Sequence, residues 1–265
     1  MSLKGIIFTT ENVKAVLEGR KTRTSRIIKP QPVCHGRSLA QQCIGSKLFS
    51  YDAVADALYC GECGNIVEYS PEGKNYVKQI KPRYKIGDIL CVKETYAALY
   101  YGKNKDGKPI DEYFYKAGFE DGWQDCDLCD IRDTDCKGEG NTKCFVPCRK
   151  WKSPLFMPKE AARIFLRVTD IKAERINDIT DEDAIAEGIF NIYGYGYSGF
   201  NKAGWVYVDP KETKYPNSTT GVRPRQAFMW LWMKIHGQGA WALNDWVWAY
   251  KFERCEKPHD DGQSA

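Results

Sequence analysis

The sequence lacks any long hydrophobic run, and this absence argues against a protein that crosses a membrane with helices. No apolar segment of the 265-residue chain approaches the roughly 20 residues that a helix needs to span a bilayer. The apolar stretch at residues 5–8 is also too short for the hydrophobic part of a signal peptide. We therefore expect a cytoplasmic protein without a membrane partner.

A large charge of one sign is missing too, because 39 basic and 35 acidic residues give a formal net charge of only +4. So mild an excess does not by itself imply a nucleic-acid partner. The basic residues are nevertheless concentrated, since residues 14–29 hold six of them against Glu18 alone. Such a cluster is typical of a solvated surface. Here, however, Lys21, Thr24 and Arg26 follow Gly19, and together they form a set that can hold a phosphate or a polarised carbonyl.

No internal repeat is visible, so the order of the predicted elements decides the fold. Capping and periodicity predict a helix between Thr10 and Gly19, a helix over 179–188 with a Thr180–Asp183 capping box, and a helix beginning at Pro224. Alternating apolar residues predict strands over 89–96, 164–169 and 246–253. Few helices and several non-local strands favour an α+β fold, a mixed β-barrel with short helices.

The chain is expected to form a single domain over 1–265, and three segments interrupt its regular pattern. Residues 30–81 and 102–150 are polar, contain most of the cysteines and are predicted to be insertions. Residues 191–223 are rich in Gly and Tyr and are predicted to form a long loop.

Eleven cysteines are many for a cytoplasmic chain, and most of them fall in the two insertions. Each insertion contains a CxxC pair, which can place two thiolates on one metal ion. We predict one or two structural zinc sites, since a metal crosslink would let a weakly hydrophobic insertion fold. The predicted ligands are Cys34, Cys43, Cys60 and Cys63 in the first insertion and Cys126, Cys129, Cys144 and Cys148 in the second. His35 is a substitute ligand in the first site, and any two of Cys136, Cys144 and Cys148 could complete the second. Reduced thiols remain the alternative, because disulfides are rare in a reducing cytoplasm. Cys91 and Cys255 stand apart and are expected to be buried core residues.

Four motifs in order resemble a known family. Gly19-x-Lys21-x-x-Thr24-x-Arg26 resembles the GxKxxxxR signature of ASCH domains, which share the PUA-like β-barrel. The turn and strand at 87–90, the segment Ala186-Glu187-Gly188 and the aromatic closing strand resemble three further landmarks of that family. The similarity covers roughly half of the chain and is greatest to phage and prophage-encoded ASCH-like proteins.

The resemblance implies binding of RNA, DNA or a modified nucleoside in a cleft beside the barrel. Some small ASCH proteins are amidohydrolases that deacetylate N4-acetylcytidine-like nucleosides with a lysine, a threonine and a glutamate. Those catalytic roles would fall on Lys21, Thr24 and Glu187. Amide hydrolysis needs a nucleophile, a base and a stabilised oxyanion, which these residue types can supply. A regular strand over 21–26 would, however, direct Lys21 and Thr24 to opposite faces.

Further residues complete the candidate ligand site. Gly19 and Arg26 belong to the signature itself, and Trp248 is expected to stack on a base unless it is core. Glu94 is predicted to point into the barrel, where Lys21 or Arg26 could be its partner, and the alternative is a structural ion pair. The leading hypothesis is nucleic-acid or nucleoside binding, with an amidohydrolase as the alternative. A zinc-stabilised interaction protein of phage biology with a degenerate pocket would be favoured if Lys21 and Glu187 were too far apart to share a ligand.

Overall fold

The computed structural model describes residues 3–32, 49–61, 66–69, 78–103, 109–118, 151–191, 205–206 and 223–258. The helices in this part are α1 (Thr10–Leu17), α2 (Asp181–Ala186) and α3 (Pro224–His236). The strands are β1 (Leu3–Ile7), β2 (Arg23–Ile27), β3 (Phe49–Asp52), β4 (Ala57–Cys60), β5 (Glu68–Tyr69), β6 (Lys78–Gln79), β7 (Ile89–Lys93), β8 (Tyr96–Lys103), β9 (Pro109–Tyr115), β10 (Phe165–Arg175), β11 (Phe190–Asn191), β12 (Trp205–Val206) and β13 (Trp246–Cys255). Short 3₁₀ turns lie at Lys116–Gly118, Pro154–Phe156, Lys159–Ala161 and Ile176–Asp178. Among these helices, none has the length and apolar character needed to cross a membrane.

Local capping explains where the first two helices begin and end. The Thr9 hydroxyl accepts a hydrogen bond from the Asn12 N–H, so α1 is capped one residue before the predicted position. After α1, the chain turns at Gly19, whose φ of +74° suits glycine. The Thr180–Asp183 capping box of α2 is present as predicted.

Five strands form the main sheet, in the order β1-β7-β10-β13-β2. β1 and β7 are parallel, and the remaining neighbours are antiparallel. β13 lies between β10 and β2, and its first five residues are all buried, which fits the near-continuous apolar sequence of this strand. Because neighbouring strands are far apart in sequence, most of the fold consists of non-local contacts.

The sheet is curved, since its two edge strands approach each other. In a flat sheet, the first and fifth strands would lie about 19 Å apart. Nevertheless, the guanidinium of Arg26 on β2 donates a hydrogen bond of 2.9 Å to the backbone carbonyl of Ile7 on β1. The described strands therefore form an open but strongly curved sheet. The expected α+β fold with few helices is confirmed, whereas a closed barrel is not formed by the described residues.

Hydrophobic side chains cover both faces of this sheet. One face packs on α1 and on the described parts of segment 30–81, which contribute Phe49, Leu58, Cys60, Val67 and Ile80 to the main core. The other face packs on α2 and α3 at one end, through residues that include Ile179, Ala184, Phe228, Trp232 and Val247. A third cluster joins β7 and β10 to the β8–β9 hairpin. The described parts of segment 30–81 are thus integrated into the central core. Most of 102–150 and of 191–223 lies outside the described residues.

Candidate functional site

Lys21 lies in the short connection between α1 and β2. The backbone N–H groups of Arg20 and Lys21 both donate to the carbonyl of Ala15, at 2.9 and 3.0 Å, so the chain folds back over the end of α1. The strand begins only at Arg23. Strand alternation therefore does not fix the direction of the Lys21 side chain.

The Lys21 side chain is buried against Glu187, 166 residues later in the sequence. Its Nζ donates hydrogen bonds to Glu187 Oε2 at 2.8 Å and to the Glu187 backbone carbonyl at 2.7 Å. The two side chains are only 3% and 5% exposed. Burial lowers the pKa of Lys21 below its ordinary value, although the Glu187 carboxylate opposes this shift.

The end of α2 places Glu187 beside this lysine. Glu187 is the C-cap of α2, and Gly188 follows with a φ of +103°. A Cβ at Gly188 would lie 3.2 Å from the Cβ of Ala15 and 3.6 Å from that of Lys21. A backbone hydrogen bond from Thr22 to Ala186, 2.9 Å long, ties the same segment to the start of β2. Glycine at 188 therefore permits the close approach that the Lys21–Glu187 contact requires.

Two side chains on one face of β2 complete the surroundings of the carboxylate. The Ser25 hydroxyl donates a hydrogen bond of 2.6 Å to Glu187 Oε1. Arg23, two residues earlier, forms ion pairs with Glu174 of β10 and Asp183 of α2, and its Nε lies 4.0 Å from Glu187 Oε1. Burial alone would lower the pKa of Arg23, but these carboxylates raise it above its ordinary value. Sequence analysis missed Ser25 and Arg23 as site residues, although their i, i+2 spacing on a strand is the signal that places them on one face.

The other signature residues of β2 lie on the opposite face. Thr24 is buried and has Tyr250 of β13 as its cross-strand partner. Arg26 is exposed, and its guanidinium lies 5.8 Å from the centre of the Phe8 ring. Lys21 Nζ lies 5.7 Å from the same ring, so Lys21 reaches both faces. The structure thus brings together Lys21 and Glu187, and it places Ser25 rather than Thr24 on the carboxylate.

Gly19 and Trp248 are explained by the fold, without a ligand. A Cβ at Gly19 would meet no atom within 4 Å, so its positive φ is what calls for glycine there. Trp248 is 5% exposed and packs edge-on against Tyr51, with 5.4 Å between ring centroids. Trp248 is therefore part of the hydrophobic core in this structure.

Glu94 does not pair with Lys21 or Arg26; it forms a structural ion pair, the other of the two alternatives. β7 ends at Lys93, and the Glu94 carboxylate instead accepts two hydrogen bonds from Arg163, at 2.9 and 3.0 Å. The Arg163 guanidinium also lies 4.2 Å from the centre of the Tyr115 ring. This bidentate pair satisfies the buried carboxylate next to the third hydrophobic cluster, away from the signature residues.

The zinc prediction falls almost entirely on residues that the structure does not describe. Cys60 is buried in the main core at the end of β4, and Cys91 is buried in β7 as expected. Cys255 at the end of β13 is only partly buried, so the expectation of a buried core residue is wrong there. The other predicted ligands, Cys34, Cys43, Cys63, Cys126, Cys129, Cys144 and Cys148, lie outside the described ranges. Within those ranges, no group of three or more His, Cys, Asp or Glu residues is arranged to hold a metal ion. The zinc sites stay a prediction.

The arrangement around Glu187 is a network of buried charges built from three parts of the chain. Its chemistry combines an amine whose pKa is lowered, a carboxylate and a hydroxyl within hydrogen-bonding distance of one another. Comparison of the sequence with known protein families and with curated proteins, and of the fold with solved structures, gave no match.

Proposed function

We propose that the protein binds a nucleobase-containing ligand, either RNA, DNA or a modified nucleoside, beside the Lys21–Glu187 pair. The observation that carries this proposal is the 2.8 Å contact between Lys21 Nζ and Glu187 Oε2, both almost fully buried. Burying an ion pair is costly in free energy, and buried pairs with shifted pKa values are concentrated at functional sites. The class of ligand follows from the resemblance of the signature residues to an ASCH domain with its PUA-like barrel.

Arg26 supplies an exposed cation next to this pair. Its hydrogen bond to Ile7 fixes the guanidinium at the gap between β1 and β2 while its side chain remains accessible to solvent. A guanidinium in such a position can contact a phosphate or a ring carbonyl. Trp248 is enclosed by the core, so the proposal assigns ligand contact to Arg26 and not to Trp248.

The second candidate is an amidohydrolase that removes the acyl group from an N4-acetylcytidine-like nucleoside. It is favoured by the lowered pKa of Lys21, because a neutral amine can accept the proton of an attacking hydroxyl. The proton taken by Lys21 would pass through Glu187 to the leaving nitrogen, and water would then hydrolyse the acyl ester left on the Thr24 hydroxyl. Thr24 lies on the face of β2 that carries Arg26, so in this reaction the substrate would have to approach Lys21 past Phe8.

The third candidate, an interaction protein with a degenerate pocket, receives no support from the pair. That hypothesis is favoured by a large separation between Lys21 and Glu187, whereas their side chains are in direct contact.

Binding is tested by fluorescence anisotropy with labelled single-stranded RNA and DNA, and by calorimetry with cytidine and N4-acetylcytidine. Arg26→Ala is expected to weaken binding to the strands and to reduce the salt dependence by about one phosphate contact. Arg254→Ala is the matched control, since Arg254 is an exposed cation on the same sheet. It lies six residues, or about 20 Å, along β13 from Trp248, the cross-strand partner of Arg26. No binding of any probe at low salt, or equal effects of the two variants, would contradict the proposal.

Catalysis is tested by following deacetylation of N4-acetylcytidine at high enzyme concentration. The hydrolase predicts turnover by the wild-type protein that Lys21→Met removes while binding of the nucleoside is kept. A wild-type protein that binds the nucleoside without any turnover would reject the hydrolase and leave the binding function standing.

A further inference from the structure

The Glu187 carboxylate is held by two different partners, one on each oxygen. Lys21 Nζ contacts Oε2 at 2.8 Å, and the Ser25 hydroxyl donates to Oε1 at 2.6 Å. All three side chains are buried. The terminal torsion of a glutamate has broad minima, so the direction of its oxygens depends on such partners.

Ser25 is well placed to fix this direction because it belongs to a rigid element. It lies in the middle of β2, where Ala249 of the central strand β13 is its cross-strand partner. The hydroxyl therefore has little freedom to follow the carboxylate. Arg23 faces the same side of β2 and approaches Oε1 to 4.0 Å, but its nearer partners are Glu174 and Asp183.

We propose that Ser25 is a positioning residue, whose hydroxyl holds Glu187 Oε1 so that Oε2 faces Lys21 Nζ. Its neighbour Thr24 cannot do the same, because alternation along β2 directs the threonine to the other face. A role of the positioned Lys21–Glu187 pair in ligand binding rests on the proposed function. The positioning of Glu187 by Ser25 does not.

If Ser25 holds Glu187 in this way, removing the Ser25 hydroxyl changes the pKa of Lys21. Glu187 raises the pKa of Lys21, while burial and the charges of Arg23 and Arg26 lower it. Without the Ser25 hydroxyl, the carboxylate is free to turn away from Nζ, and Lys21 loses part of the influence that keeps it protonated. The titration of Lys21 is therefore expected to move further down in pH when the hydroxyl is removed.

The experiment is an NMR titration of the side-chain carbons of Lys21 in protein labelled at lysine, with near-ultraviolet circular dichroism to verify folding. Ser25→Ala is expected to shift the Lys21 midpoint downward. Ser25→Thr, which keeps a hydroxyl and suits a strand, is expected to titrate like the wild type. Thr24→Val is the matched control for loss of the adjacent hydroxyl, and it is expected to leave the Lys21 midpoint unchanged.

A folded Ser25→Ala variant with a wild-type Lys21 midpoint would overturn the proposal, and so would equal shifts in Ser25→Ala and Thr24→Val. If Ser25→Ala does not fold, Ser25→Cys is measured instead, because it keeps nearly the same volume with a weaker donor. Its Lys21 midpoint must then lie below that of the wild type. In a Glu187→Gln background, Ser25→Ala is expected to have no further effect on Lys21. These readouts need no ligand, so failure of the binding or hydrolase proposal leaves them intact.

Discussion

Among the described residues, three glutamates are buried beside cations: Glu94 stands alone with Arg163, whereas Glu187 and Glu174 both lie near Arg23. Glu94 and Glu187 differ in what surrounds them. Glu94 is 1% exposed, and the cation that it meets within the described ranges is Arg163, whose side chain is 33% exposed and lies on the Tyr115 ring. Glu187 is 5% exposed, and its partner Lys21 is only 3% exposed. A hydroxyl and a second buried cation also approach Glu187.

The chemistry of the two cations gives this difference its meaning. An arginine stays charged at every accessible pH, so the cation of the Glu94–Arg163 contact cannot release a proton, and the contact serves to fix local structure. A lysine can release its proton when burial lowers its pKa, as it does for Lys21. Of the two clusters, the one around Glu187 is able to move a proton, which is why the proposed function is placed there.

The largest expected effect is the loss of stability when either buried carboxylate is neutralised. The loss should be greater where the partner cation is less exposed. Glu187→Gln leaves Lys21 buried without its counter-charge and is expected to lower the free energy of unfolding by about 3 kcal/mol. Glu94→Gln leaves Arg163 in contact with water, so a loss of about 1 kcal/mol is expected. Guanidinium chloride unfolding of both variants measures the two losses.

The exposed Glu253 on β13 supplies the control for removing a carboxylate charge. Glu253→Gln is expected to change stability by less than about 0.5 kcal/mol. Adding Lys21→Met to Glu187→Gln is expected to recover part of the loss, since no buried charge then lacks a partner. Equal losses for Glu187→Gln and Glu94→Gln would show that exposure of the cation does not distinguish the clusters.

A smaller loss of stability is expected from changing Gly188, the glycine that lets the chain approach closely in the Lys21–Glu187 cluster. Gly188→Ala forces a φ of +103° on alanine and brings its Cβ to 3.2 Å from that of Ala15, so a loss of about 2 kcal/mol is expected. Gly19→Ala meets a φ of +74° but open space, which is expected to cost about 1 kcal/mol. Thermal and chemical unfolding give both values. A larger loss for Gly19→Ala would contradict the close approach inferred at Gly188.

Local sequence signals predicted the elements that carry the site. The Thr180–Asp183 capping box, the glycine after α2 and the aromatic closing strand are present as expected, because each depends on residues close in sequence. That Lys21 and Glu187 act in one site was implied only by the family resemblance, and the two side chains are in contact.

What sequence reasoning could not supply depends on register and on distant contacts. β2 begins at Arg23, and a shift of one residue would exchange the faces of Thr24 and Ser25. No local pattern indicates that Glu94 meets Arg163, which lies 69 residues away. The order of the five strands, with first and fifth brought together by curvature, likewise arises from packing across the whole chain.

The smallest expected effect is a change of stability with pH that distinguishes the Lys21 cluster from the Glu94–Arg163 pair. Because the pKa of Lys21 is lowered on folding, the unfolded chain binds more protons between the folded pKa and the ordinary value. The contribution of Lys21 to the free energy of unfolding therefore rises with pH across that window. Lys21→Met abolishes this contribution, whereas Arg163→Met removes a cation that does not titrate there.

The measurement is the difference between wild-type and variant unfolding free energies at several alkaline pH values, above the range in which carboxylates titrate. The raw curves also contain an opposite trend, because burial raises the pKa of Tyr84, Tyr250 and Cys91 and their unfolded forms lose protons first. These groups are common to wild type and variants, so their effect cancels in the differences. Burial also raises the pKa of Tyr115, and Arg163 opposes this shift, so all three proteins carry Tyr115→Phe. The Lys21→Met difference should rise with pH while the Arg163→Met difference stays flat. A flat Lys21→Met difference would mean that Lys21 keeps its proton as firmly as an arginine, and the contrast between the two clusters would then be one of exposure alone.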